Sequence, residues 1–183
     1  MSLTIQSFGD RQSFELIRDE VVIGGFAYAS EMRSPKGNVA FASGALHIHG
    51  IDAQINAKTG NSSDGELEFD IIKSNRDIGE LEFDRRGNAK LKLKRVDSGS
   101  DSFKIKARGL TSWSFLVEQD GRPVLEIKPT EKYRRNAYHY RVHSRSRNRI
   151  PERVLDELTI YSTFAANIYS AKMQGITTGR WPG

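Results

Sequence analysis

The sequence predicts a mainly β fold, an antiparallel β-barrel or a barrel-like sandwich around one hydrophobic C-terminal helix. Three observations predict it. Apolar and polar residues alternate from Ser13 to Val96, short polar turns separate serial hairpins, and the period becomes helical after Pro151. Roughly a dozen short strands are too many for one flat open sheet, so a closed barrel or a two-layer sandwich is expected.

The N-terminal part is predicted to form several short strands. Residues 14–16, Val22 and residues 26–28 would be half-buried strands around the glycine pair at residues 24–25. The segment SPKGN at residues 34–38 is typical of a turn.

A near-repeat carries the clearest local prediction. The segment GELEFD at residues 65–70 recurs at residues 79–84, and each copy places Leu and Phe on one face and two Glu on the other. A turn centred on Gly87 joins the second copy to AKLKLK at residues 89–94. The cross-strand pairs that this register predicts are Phe83–Leu91, Leu81–Leu93, Glu82–Lys92 and Glu80–Lys94.

Two further hairpin arms follow. Residues 102–106 alternate between apolar and polar side chains. Residues 113–118 and 123–127 are joined by residues 119–122, which contain an Asp-Gly pair. Because Asp-Gly favours a tight hairpin turn, these two segments are predicted to be adjacent antiparallel strands.

The one long helix is predicted at about residues 151–174. Pro151 stands where a helix can begin and Gly175 where it can stop. From Leu158 to Ala171 the segment has no charged residue. A helix without a charged face is usually buried on most sides, so we expect this one to pass through the β structure.

The composition is that of one globular domain. A chain of 183 residues is long enough for one well-filled core, and we expect a single barrel domain at residues 1–175 and a tail at residues 176–183. No cysteine is present, which excludes disulfides, thiolate nucleophiles and cysteine metal sites. Trp181 in the tail would pack either on the barrel or on a second copy, so a homo-oligomer stays open.

Positive charge is concentrated in one segment. Between Ile127 and Pro151 there are eight Lys or Arg and one Glu, a net charge of +7. The whole chain carries +5, so the remainder carries −2. This distribution predicts an anionic partner for the segment and says nothing about the fold.

Two features resemble the tubby C-terminal-like superfamily, closest to its LURP-one-related and phospholipid-scramblase-like branches. Antiparallel hairpins precede one apolar helix at residues 158–171, and residues 115–125 form a strand, an Asp-Gly turn and a strand. The resemblance covers residues 3–175. It implies a closed barrel around a central helix and a non-enzymatic domain, which in tubby binds phosphoinositide headgroups. Tubby's phosphoinositide-binding residues have no matching positions here, and neither have the cysteine cluster and acidic calcium segment of scramblases.

The basic segment is the main candidate site. Alternation over residues 137–145 places aromatic and aliphatic side chains on one face and basic side chains on the other. The candidate anion-binding residues are Arg134, Arg135, His139, Arg141, His143, Arg145, Arg147 and Arg149. Arginine binds phosphate oxygens through a two-pronged fork, so the partner would be an anionic lipid headgroup or an acidic protein. The alternative is a solvated strand face balanced by the Glu-rich strands.

A metal site is the second candidate. His47 and His49 stand two residues apart, with Asp52 following. Residues two apart share a face of a strand, so both imidazoles could hold one metal ion, as in barrel metalloenzymes of the cupin kind. The glutamate that those enzymes carry a few residues later is missing. Exposed or hydrogen-bonded histidines are therefore the simpler interpretation.

Other enzyme classes have no motif in the sequence. There is no Gly-x-Ser-x-Gly elbow, P-loop or dinucleotide fingerprint, and no aromatic RNA-binding motif, so nucleic acid is the less favoured partner. The prediction is a non-enzymatic binding domain without a cofactor or a transmembrane segment, located in the cytoplasm or peripherally at a membrane. A metal-dependent barrel enzyme at His47 and His49 and a structural or oligomerisation module are the alternatives.

Overall fold

In a computed structural model of the chain, the described residues form a closed antiparallel barrel of twelve strands and one helix. These residues are 2–8, 13–33, 39–58, 67–84, 86–94, 99–108, 114–130, 139–145 and 150–173. The strands are β1 (Leu3–Phe8), β2 (Ser13–Arg18), β3 (Val21–Arg33), β4 (Val39–Ile48), β5 (Ile51–Ala57), β6 (Leu67–Lys73), β7 (Arg76–Phe83), β8 (Ala89–Lys94), β9 (Ser100–Arg108), β10 (Ser114–Gln119), β11 (Arg122–Pro129) and β12 (Tyr140–Ser144). The helix is α1 (Glu152–Met173).

The barrel closes because its first and last strands pair. Each strand pairs antiparallel with its neighbour in the sequence, and β1 pairs with β12. Leu3 lies opposite Val142 and Ile5 opposite Tyr140 at this seam. Closure gives every strand a neighbour on both sides, although β3 and β4 extend beyond their pairing with β2 and β5. The predicted barrel is confirmed, and the sandwich form of the prediction is wrong.

Helix α1 lies inside the barrel, as predicted, and its bounds agree with the predicted residues 151–174 within one residue at each end. Every residue from Leu158 to Ile168 is buried. Two of the polar residues among them are accommodated by the helix itself: the hydroxyls of Thr159 and Thr163 donate to the backbone carbonyls of Leu155 and Thr159, at 2.7 and 2.8 Å. Such bonds satisfy the hydroxyls without water.

Aromatic rings connect the helix to separate parts of the barrel. The ring of Phe164 lies 5.1 Å from that of Phe26 on β3 and 5.2 Å from that of Phe69 on β6, measured between centroids. Pairs at this distance contribute about 0.5–1.5 kcal/mol beyond their burial. The hydroxyl of Tyr140 donates to the side-chain oxygen of Asn167 at 3.0 Å. The helix is thus held by both packing and a specific polar contact.

Residues 14–16 lie in the short strand β2, as predicted. The prediction of separate strands at Val22 and at residues 26–28 is wrong, because β3 continues from Val21 to Arg33. A Cβ atom at Gly24 would lie 2.6 Å from the carbonyl oxygen of His47, and one at Gly25 would lie 2.7 Å from that of Phe14. The two glycines therefore allow neighbouring strands to approach closely, a role that does not interrupt the strand.

The β7–β8 hairpin has the predicted faces but a different register. Leu81 lies opposite Leu91 and not opposite Leu93. The observed pairs are Glu80–Lys92, Leu81–Leu91, Glu82–Lys90 and Phe83–Ala89. The carboxylate of Asp84 shortens the turn, since it accepts hydrogen bonds from the backbone and side-chain nitrogens of Asn88 at 2.8 and 2.9 Å. A slip of two residues keeps each side chain on its own face.

The two copies of the near-repeat pair with each other, which the sequence pattern did not predict. In β6 and β7, Glu68 lies opposite Glu82 and Asp70 opposite Glu80. These four residues are called the carboxylate cluster below. Like charges placed directly opposite each other destabilise a sheet, so the cluster requires cations beside it.

Two lysines supply those cations. The Nζ atom of Lys58 lies 3.3 Å from carboxylate oxygens of Glu68 and Glu80 and 3.4 Å from that of Asp70. Lys92 contacts Glu80 and lies 2.7 Å from Glu82. Burial lowers the pKa of Lys58, but hydrogen bonds to the carboxylates outweigh it and raise that pKa above its ordinary value. Every member of the carboxylate cluster therefore contacts a lysine of the chain, and the two lysines neutralise half of its four negative charges.

Some predictions fall outside the described residues. These are the turn at residues 34–38, the helix stop at Gly175, and the tail at residues 176–183 with Trp181. The domain boundary at residue 175 stays a prediction for the same reason. Within the described residues, no helix has both the length and the hydropathy needed to cross a membrane.

Candidate functional site

Strand β12 carries the described part of the basic segment. Tyr140 and Val142 point into the core, whereas Arg141 is exposed and His143 half-buried on the outer face, as alternation requires. His139 precedes the strand, and its backbone carbonyl accepts a hydrogen bond from the backbone nitrogen of Thr130 at 2.9 Å. The predicted residues Arg134, Arg135, Arg147 and Arg149 lie outside the described residues.

A carboxylate on the neighbouring strand neutralises part of this face. Glu126 on β11 accepts hydrogen bonds from Arg145 at 2.5 and 3.2 Å and lies 3.2 Å from the Nζ atom of Lys128. Its side chain is only 12% exposed. Burial raises the pKa of Glu126, but the hydrogen bonds from Arg145 and Lys128 outweigh it, and the pKa lies below its ordinary value. Arg145 therefore has a structural partner, which weakens its candidacy as an anion ligand.

Arg141 differs from its neighbour Arg145. It lies directly opposite Lys128 on β11 and Thr4 on β1. No carboxylate among the described residues forms an ion pair with it. A guanidinium that faces another cation across the strands, without a carboxylate, is suited to an external anion.

A second group of unpaired cations lies on β8 and β9. Lys90 and Lys104 are exposed and directly opposite each other. Neither makes an ion pair in the part of the chain that the structure describes. Both line a groove of about 360 Å³ together with Lys106, Asn88 and the acidic residues Glu82 and Asp84. Lys106 has a partner there, since its Nζ atom lies 2.6 Å from a carboxylate oxygen of Glu118.

These residues form a basic surface on the outside of the barrel, on four of the five strands β8 to β12, which is interrupted at β10, where Glu118 lies opposite Lys104. We call it the basic wall, and its members are Lys90, Lys104, Lys128, Arg141, His143 and Arg145. It extends over the adjacent strands β8 to β12, whose spacing of about 4.8 Å gives a width of about 19 Å. Sequence alternation shows that Lys90 and Lys104 face outward, but only the strand register shows that they face each other.

The two histidines of the metal hypothesis lie in different surroundings. The Nδ1 atom of His47 lies 2.6 Å from a carboxylate oxygen of Asp52 on the outer wall. His49 lies beyond the end of β4, in a turn with φ = +50°, and its Nε2 atom lies 2.7 Å from Asp156 of the helix. Strand alternation therefore does not extend to His49, and the expectation of a shared strand face is wrong. Within the described residues, no three His, Asp or Glu side chains are grouped as metal ligands.

Asp156 belongs to a polar cluster where the helix enters the barrel, and the sequence pattern did not predict it. The Asp156 side chain is 0% exposed, forms an ion pair with Arg18 and lies within hydrogen-bond distance of the His49 ring. Arg18 also lies 2.6 Å from Glu152. We call these four residues the mouth cluster. Because the carboxylate is buried with both partners in place, the cluster attaches the helix to the end of β2 and to the turn that follows β4.

Comparisons with protein-family models, curated proteins and solved structures find no match to this chain. The closed barrel around one helix is the fold that the resemblance to the tubby C-terminal-like superfamily implies. Membership of that superfamily stays a prediction, and the function is argued from the residues alone.

Proposed function

We propose that this domain is a non-enzymatic binding module for phosphate-bearing lipid headgroups, which contact the basic wall. The register of Lys90 and Lys104 carries the proposal. Like charges directly opposite each other destabilise a sheet. On their other sides Lys90 lies opposite Glu82 and Lys104 opposite Glu118, but these carboxylates form ion pairs with Lys92 and Lys106, and neither Lys90 nor Lys104 forms one among the described residues. A phosphate group between the two ammonium groups would relieve their repulsion.

The second like-charged pair supports the same partner. Arg141 faces Lys128 three strands away from Lys104. A surface with many phosphates can contact both pairs at once, whereas one small anion reaches only one of them. Each basic residue near an anionic membrane contributes about 1 kcal/mol. The three unpaired cations (Lys90, Lys104, Arg141) would contribute about 3 kcal/mol, or roughly a hundredfold in affinity.

Vesicle co-sedimentation tests the proposal. Phosphatidylcholine vesicles would be compared with vesicles that also contain phosphatidylserine or a phosphoinositide, at low and high salt. The test variant is Lys90→Glu with Lys104→Glu. The matched control is Lys73→Glu with Arg76→Glu, because this basic pair is also directly opposite across two strands but lies outside the basic wall.

We expect the unmodified protein to bind only the anionic vesicles, and to bind them less at high salt because screening weakens exposed charges. The test variant should bind at least about 30-fold more weakly, while the control should bind nearly normally. Equal binding by test and control variants would overturn the assignment of the wall. Binding to polyglutamate without binding to vesicles would show that the partner is an acidic protein.

A further inference from the structure

A groove of about 730 Å³ lies on the outer surface of strands β2 to β6, apart from the basic wall. Its floor is made of small residues. Gly25, Ala27 and Ala45 face outward there, and the exposed Val22 forms an apolar rim. Sites for ligands of drug size occupy roughly 300–1,000 Å³, so the groove is large enough for more than one side chain.

One cross-strand row gives the groove its shape. Glu15, Gly25, His47 and Asp52 lie side by side on β2, β3, β4 and β5. Gly25 has no side chain, and a Cβ atom there would lie 2.7 Å from the carbonyl oxygen of Phe14. The row therefore has a gap between Glu15 and His47, which are two strand spacings or about 10 Å apart.

The groove is acidic. Glu15 stands on one side of the gap and makes no ion pair with any described residue. On the other side His47 is bonded through Nδ1 to Asp52 at 2.6 Å, with side chains 64% and 83% exposed. Of the described residues that line the groove, none is Lys or Arg. A ligand with aliphatic chains and cationic ends would complement both the apolar floor and the carboxylates on either side of the gap.

We propose that this groove binds an extended basic segment of a partner protein. One lysine or arginine stem lies on Ala27 and Ala45, and its cation lies between Glu15 and the His47–Asp52 pair. Because the strands at the groove already pair with a neighbour on each side, a partner there has no strand edge to join and must be recognised through its side chains. The size of the groove favours a peptide segment over a single amine.

Fluorescence anisotropy with a labelled, end-capped peptide of three Lys-Ala repeats tests this proposal, with Glu-Ala repeats as the opposite charge. Ala45→Lys places a cation on the groove floor, and Ser102→Lys adds the same charge at an exposed position on β9. Glu15→Gln removes one carboxylate from the rim without filling the groove. Thermal unfolding of each variant shows whether it is folded.

We expect binding of the Lys-Ala peptide alone, a loss of at least about tenfold in Ala45→Lys, and a near-normal affinity in Ser102→Lys. Glu15→Gln should weaken binding about two- to fivefold. Equal affinities of Ala45→Lys and Ser102→Lys would overturn the proposal. The proposal would also be overturned if lysine capped at its α-amine and carboxyl groups, with a free side-chain ammonium, bound as tightly as the peptide. The occupant would then be a small amine. Lys90→Glu with Lys104→Glu should leave peptide binding intact, which separates this site from the basic wall.

Discussion

The carboxylate cluster and the basic wall place like charges opposite each other in the same way, but they differ in what lies between the charges. In the carboxylate cluster, Lys58 and Lys92 bridge the acidic side chains of β6 and β7. On the basic wall, Lys90 faces Lys104, and neither forms an ion pair among the described residues, although Glu82 and Glu118 lie opposite them on their other sides. The first arrangement has counter-ions within the chain, whereas for the second we propose an external anion. On this proposal, the charges of the carboxylate cluster stabilise the fold and those of the basic wall serve binding.

In the mouth cluster the paired carboxylate is fully buried. Removing its partner is therefore predicted to cause the largest loss of stability. Arg18→Met leaves the Asp156 carboxylate buried with only His49 beside it. Removing one partner of a buried ion pair typically destabilises a protein by about 3–5 kcal/mol. We expect Arg18→Met to lower the free energy of unfolding by about 3 kcal/mol, measured by urea denaturation.

Arg18→Lys is the control for this prediction. It keeps the positive charge but cannot contact Glu152 and Asp156 through two separate nitrogens, as the guanidinium does. An intermediate loss of stability is expected. A loss of less than about 1 kcal/mol in Arg18→Met would show that the mouth cluster does not hold the helix.

Removing a bridging lysine from the carboxylate cluster should have the next largest effect. Lys58→Met leaves Glu68, Asp70 and Glu80 without that cation. Because these groups are partly exposed, we expect a loss of about 1 kcal/mol, which becomes smaller as salt screens the carboxylates. Lys104→Met on the basic wall is the matched variant. It should change stability by less than about 0.5 kcal/mol, or increase it, because it removes a repulsion. Equal losses in the two variants would contradict the comparison.

The strands and the helix could be predicted from local patterns, because strand alternation and helix periodicity depend only on residues close together in the sequence. The outward position of Arg141 and the burial of the helix from Leu158 onward are of this kind. The predicted register of β7 and β8 differs from the observed one by two residues. Face alternation cannot distinguish two registers that differ by an even number of residues.

The interactions that the sequence did not predict join residues far apart in the chain. Asp156 is 107 residues from His49 and 138 from Arg18. Alternation places Lys90 and Lys104 on the outside, but their opposition depends on the pairing of β8 with β9. No local pattern contains this information, because it results from closure of the whole barrel.

The smallest predicted effect is a loss of stability at acid pH, where the carboxylate cluster becomes protonated. The hydrogen bond from Lys92 holds the pKa of Glu80 below its ordinary value of 4.5, burial opposes this, and Lys58 adds to it. A carboxylate whose pKa is lowered by folding contributes stability above its ordinary pKa, and loses that contribution as the pH falls through the lowered value. Unfolding measured from pH 7 to pH 3 should therefore show a loss of stability below about pH 4.5 that is smaller in Glu80→Gln. Lys92→Met should reduce the slope of unfolding free energy against pH below about pH 4.5. This variant removes the hydrogen-bond donor that lowers the pKa of Glu80. A Lys92→Met curve with the slope of the unmodified protein would show that the lysine does not stabilise the charged carboxylates.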